Sequence, residues 1–150
     1  MISPIKRSAV LLSALLFASA TLAMAQETKK TIKKAPIERT SAASGEEMYK
    51  TYCAVCHGID GKGDGPAASE FKTPPTNLTL LAQHFNGKFP EAYVAEVLKN
   101  GPKEAKKAHG SEDMPVWGPA FGSISGGARS PLVKLRISNL SKYLESMQAK

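Results

Sequence analysis

Two cysteines and the histidine that follows them, Cys53-Ala54-Val55-Cys56-His57, constrain this chain more than any other run of residues. An even cysteine count by itself suggests a disulfide, but a histidine directly after the second cysteine changes the reading. Cys-x-x-Cys-His is the attachment signature of c-type haem. Two thiols about one helical turn apart can reach the two vinyl groups of one porphyrin edge, and the next residue, His57, then faces the iron as an imidazole axial ligand. Both cysteines are consumed as thioethers. The competing readings need more than the sequence offers. A dithiol redox pair requires a preceding strand in a βαβ setting. A zinc site requires about four ligands, and although His84 and His109 are available there is no second cysteine pair. One covalently attached haem c is therefore the expected cofactor.

The rest of the chain is organised around that motif. Residues 1–25 have the form of a cleavable signal peptide. Lys6 and Arg7 precede an uncharged run from Ser8 to Gln26, and Ala23-Met24-Ala25 supplies the small-x-small cleavage pattern. An uncleaved anchor is the alternative, but Ala, Ser and Thr make that run weakly hydrophobic for a membrane span, so no stable membrane insertion is expected. Residues 26–44 are polar and basic, with Lys29, Lys30, Lys33, Lys34 and Arg39 against Glu27 and Glu38. They read as a flexible linker. The domain proper is residues 45–150. The formal charge of +7 resides mostly in the signal and linker, so the domain is close to neutral and nucleic-acid binding is not expected.

Within the domain the pattern is all-α. Ser44-Gly45-Glu46-Glu47 fits a capping box, and Met48, Tyr49 and Tyr52 follow at helical spacing. Gly58 to Pro66 is a glycine-rich turning loop, and Thr73 to Asn77 is extended by its prolines. Leu78 to Phe85 suggests a short helix. Pro90 to Asn100 reads as another, stopped by Gly101. Residues 101–130 look irregular, and a last helix is expected over Pro131 to Met147, with Val133, Ile137, Leu140 and Leu144 in one stripe. Three or four short helices with long loops make a poor core at this size. A large apolar cofactor wrapped by the loops would complete it.

The second axial ligand has three methionine candidates after residue 25. Met48 and Met147 lie on helical stripes, where packing explains them. Met114 stands in the irregular stretch directly before Pro115, and a thioether there is a soft ligand that raises the iron potential. His109 is the competitor. The expected haem-binding residues are Cys53, Cys56, His57 and Met114, with His57 and Met114 on the metal.

Over residues 45–148 the chain resembles the class I c-type cytochromes. The matching segments are Gly45-x-x-x-Tyr49, Cys53-x-x-Cys56-His57-Gly58, Gly63-Asp64-Gly65-Pro66, Pro74-Pro75-Thr76-Asn77-Leu78, Met114-Pro115-Val116-Trp117-Gly118 and Leu140-x-x-Tyr143-Leu144. The resemblance implies the small all-α cytochrome c fold, with first and last helices crossing near Gly45 and Tyr143. It also implies that a proline carbonyl, here Pro66, accepts from the His57 Nδ1–H, and that Trp117 packs on the haem, bonds a propionate or simply fills core. The function it implies is one-electron transfer in the periplasm, not enzymatic turnover, between a donor and an acceptor redox protein, after haem attachment by dedicated machinery. A haem-carrying subunit of a larger dehydrogenase or oxidase is the alternative. A small peroxidase or sensor is a further one, and would require Met114 to leave the iron.

Overall fold

The computed structural model describes residues 36–102 and 114–149. The expected signal peptide, residues 26–35 of the expected linker, and His109 lie outside the described residues. Among the described residues there are helices and turns and no strand, as the all-α reading requires. The helices are α1 (Gly45–Tyr52), α2 (Ala54–His57), α3 (Leu81–His84), α4 (Glu91–Asn100), α5 (Trp117–Ile124) and α6 (Pro131–Ser146). Two 3-10 turns, Ala68–Glu70 and Leu78–Leu80, complete the set, the second running directly into α3.

Helix α1 starts where its cap places it. The Ser44 hydroxyl accepts from the Glu47 N–H at 3.1 Å, a contact worth about 1 kcal/mol. The Glu47 carboxylate does not return to Ser44, as a reciprocal box would have it, but accepts from the Ser41 N–H at 3.2 Å. Met48, Tyr49 and Tyr52 bury one face, and α6 answers with Val133, Ile137, Leu140 and Leu144, the spacing of a core-facing helical stripe. The two helices meet at Gly45. A Cβ there would run into the Asn139 carbonyl oxygen and come within 2.8 Å of the Tyr143 Cβ. Tyr49 and Tyr143 pack ring on ring beside the crossing, with centroids 5.4 Å apart.

Two expectations need correction. Residues 117–124 are helical, not irregular. Their glycines and proline read as loop residues, yet they serve packing. A Cβ on Gly118 would strike the Lys99 carbonyl oxygen at the end of α4, so glycine lets α5 approach α4. Pro119 sits in the first turn of α5, where no intrahelical donor is lost. The linker also ends earlier than Ser44. Tyr52 donates to the Glu38 carbonyl at 2.6 Å, Arg136 to the Thr40 carbonyl at 2.7 Å, and Asn139 to the Ala42 carbonyl at 2.9 Å. These backbone groups are held by side chains of α1 and α6, which a composition argument does not reveal.

Candidate haem site

The cysteine motif occupies the break between α1 and α2. Cys53 is the hinge residue: its N–H still bonds the Tyr49 carbonyl at 2.8 Å, and its own carbonyl accepts from the His57 N–H at 2.8 Å. The following glycine-rich loop folds back on α2. Gly63, Gly65 and Ala67 donate to the carbonyls of His57, Cys56 and Val55 at 2.8, 3.1 and 2.9 Å, which satisfies the acceptors a short helix leaves open at its C-terminus. The tight turns of this loop thus fix the helix end that carries His57.

All four residues singled out from the sequence, Cys53, Cys56, His57 and Met114, line a single cavity. Met48 and Met147 do not line it; Met48 is wholly buried in the core. Tyr52, Leu81, Leu98 and Trp117 form part of the inner wall. With the open mouth included, the space measures about 1240 Å³. No Asp, Glu, Lys or Arg side chain among the described residues faces into it. Tyr52, Trp117 and Phe121 stack behind that wall at centroid distances of 5.3 to 5.7 Å. At the mouth, the half-exposed rings of Phe85 and Tyr93 pair at 5.3 Å.

The His57 Nδ1 lies 2.9 Å from the Thr76 carbonyl oxygen. A carbonyl can only accept, so the proton belongs on Nδ1 and Nε2 keeps its lone pair. Burial lowers the His57 pKa, and the Thr76 bond raises it less strongly; the neutral ring is favoured. The acceptor is therefore Thr76 and not Pro66. The loop hydrogen bonds just described draw Pro66 into a shallow surface hollow with Val55 and Asp60, away from the imidazole. Thr76 gave no signal of its own in the sequence; the prolines before it, which hold the strand-like run extended, were the nearest one.

The Thr76 carbonyl is held from both sides. Leu78 N–H bonds the Gly61 carbonyl at 2.7 Å, and Asn77 caps the turn by accepting from Thr79 N–H and Oγ1 at 3.0 and 2.7 Å. From the far end of the chain, Gln148 donates to the Leu78 carbonyl at 2.8 Å and accepts from the Ala82 N–H at 2.9 Å. The two thiols differ. Cys53 is buried, and burial, reinforced by Cys56, pushes its pKa up to about 12; Cys56 is less enclosed and is raised by burial alone.

This donor set fits haem c. Two thiols lie three residues apart, an imidazole presents a free Nε2, a thioether lines the same cavity, and the remaining wall is apolar. The family described as Cytochrome C oxidase, cbb3-type, subunit III matches residues 40–125. Comparison with curated proteins and with solved structures gives no match.

Proposed function

The chain belongs to the cytochrome C oxidase, cbb3-type, subunit III family, and from that premise we propose that it is a class I c-type cytochrome carrying single electrons between periplasmic redox partners through one haem c. The observation that carries the reading is the convergence of Cys53, Cys56, His57 and Met114 on one cavity with no Asp, Glu, Lys or Arg among its described lining residues. When bound, haem c supplies a one-electron iron couple. Cys53 and Cys56 would hold it by thioethers. His57 offers Nε2 because Thr76 fixes the proton on Nδ1. Met114 offers a soft sulfur that favours the ferrous state. Trp117 and Tyr52 keep water from the inner wall. With His57 and Met114 both on the iron, no position would remain for a substrate, and the domain would transfer electrons without turning over a reaction. The polypeptide is exported, cleaved after Ala25, and receives its haem from attachment machinery outside the cytoplasm.

The test is extraction in acid acetone of the exported protein. Haem remaining with the polypeptide is the expected result; haem that leaves with the solvent contradicts the covalent site. Met114→Ala should lower the reduction potential and open the iron to carbon monoxide. Those changes in His109→Ala, with Met114→Ala unaltered, would move the ligand assignment to His109. A mature N-terminus other than Gln26 would overturn the cleavage site. A second reading, a haem subunit fixed in a larger complex, is favoured by the family's description as an oxidase subunit; purification with a large partner that survives high salt would select it over the free carrier.

A further inference from the structure

We infer that Arg136, which does not line the haem cavity, raises the reduction potential of the iron by delivering a fixed positive field to the cavity wall. Resting on the haem reading above, this assigns Arg136 as a positioning residue for electron transfer. Arg136 is only 5 % exposed, in the middle of α6, and no carboxylate among the described residues pairs with it. A buried guanidinium ordinarily has an acid beside it, because an isolated charge in an apolar interior is costly. Here its partners are neutral. Nε donates to the Ser125 hydroxyl at 3.1 Å, Nη1 to the Thr40 hydroxyl at 2.9 Å and Nη2 to the Thr40 carbonyl at 2.7 Å. The Phe121 ring lies 5.9 Å from Cζ, within cation–π range. Charge is thus accommodated without being neutralised.

The hydrogen bonds give that charge a direction. Tyr52 commits its proton to the Glu38 carbonyl at 2.6 Å. The Thr40 and Tyr52 hydroxyls are 2.9 Å apart, so the Thr40 hydroxyl must donate to the Tyr52 oxygen while accepting from Arg136. Guanidinium, Thr40 and Tyr52 form one chain, every donor pointing away from the charge, and such chains polarise cooperatively. The chain ends on the Glu38 carbonyl, and the ring of Tyr52, through which it passes, is a wall of the cavity. The second route is the stack of Phe121 on Trp117 at 5.6 Å, apolar matter that screens poorly. The ferrous centre carries one positive charge fewer than the ferric one, so a positive field at the wall favours reduction.

The experiment is an equilibrium redox titration of the haem-loaded protein and three variants. Arg136→Met removes the charge. Arg136→Lys keeps it. Ser125→Asp sets a carboxylate against Nε and cancels the field while leaving the arginine in place. With an effective dielectric of about 20, a unit charge held behind the cavity wall corresponds to a severalfold change in the reduced-to-oxidised ratio at fixed potential. Arg136→Met and Ser125→Asp should both lower that ratio severalfold, with Arg136→Lys near wild type. An equal fall in Arg136→Lys would make Arg136 a clamp and nothing more, and an unchanged ratio in Arg136→Met would overturn the inference outright. If Arg136→Met does not accumulate, Ser125→Asp decides alone, an unchanged ratio again overturning it. A wild-type chain without covalent haem would instead sink the function proposed above, whereas haem-loaded variants of unaltered potential sink only the role of Arg136.

Discussion

The Tyr49 hydroxyl donates to the Gly58 carbonyl at 2.6 Å, from a ring with no exposed surface, and Gly58 closes the helix that ends in His57. Tyr49→Phe removes the shorter of that carbonyl's two bonds and leaves it the one from the Gly61 N–H at 3.2 Å. We expect a loss of about 0.5–1.5 kcal/mol, read as a lower urea midpoint of the haem-loaded protein. The same phenol gives a pH signature. Burial raises its pKa, Cys53 adds to the shift only while its thiol is free, and Tyr143 adds to it as well. The folded protein keeps this proton where the unfolded chain releases it, near pH 10. The unfolded state then binds fewer protons, so the contribution is complete below about pH 10 and stability falls as pH rises beyond it. Tyr49→Phe should show a shallower alkaline decline than wild type; identical slopes would contradict the assignment. At this scale the lining of the cavity was half legible. Cys53, Cys56, His57 and Met114 announce themselves by spacing and by neighbours. Thr76 does not, because its part is played by a backbone carbonyl, which every residue has, and only the folded path of the chain selects one.

Helix α1 and helix α6 meet through Gly45, so the cost of a side chain there falls on the pair rather than on either helix alone. Gly45→Ala drives a methyl into the Asn139 carbonyl. We expect destabilisation of about 1–3 kcal/mol by overpacking, measured by chemical denaturation, even though alanine is the better helix former. The turn that presents the Thr76 carbonyl depends on Gln148 in the same way. Gln148→Ala removes its bonds to Leu78, Ala82 and Leu144, and we expect the Ala82 amide to exchange its hydrogen faster than in wild type while amides in the middle of α4 stay unchanged. Uniform acceleration would mean that Gln148 supports the whole domain and not this segment. The helices with strong apolar stripes, α1, α4 and α6, were evident from periodicity to within a residue or two. Helix α5 was not. Trp-Gly-Pro-Ala-Phe-Gly carries the composition of a loop, and what makes it helical is the fit of Gly118 against α4 and the burial of Trp117 and Phe121. Tertiary contact overrides propensity at such positions, and no local pattern records it.

Across the whole molecule, the core residues of α1, α4, α5 and α6 surround a space that they do not fill. Side chains lining such a space lose the contacts that a packed interior supplies. We expect the double variant Cys53→Ala, Cys56→Ala, produced without haem, to lack a cooperative thermal transition in near-ultraviolet circular dichroism; a sharp transition like that of the haem-loaded protein would show the polypeptide to be self-sufficient. The residues held between Glu38 and Ala42 bear on the same balance, since they cover α1 and α6 from outside. The crossing at Gly45 and Asn139 also sets an order of events. Its two partners are some ninety positions apart, so the length-dependent entropy of closing the loop between them is about 4 kcal/mol. That closure has to wait for α6, the later of the two in the chain. Until α6 docks, Tyr49 has no Tyr143 ring beside it and the Gly45 face of α1 lies uncovered. The contact that closes over the longest stretch of chain is therefore also the one on which both end helices rely for a partner.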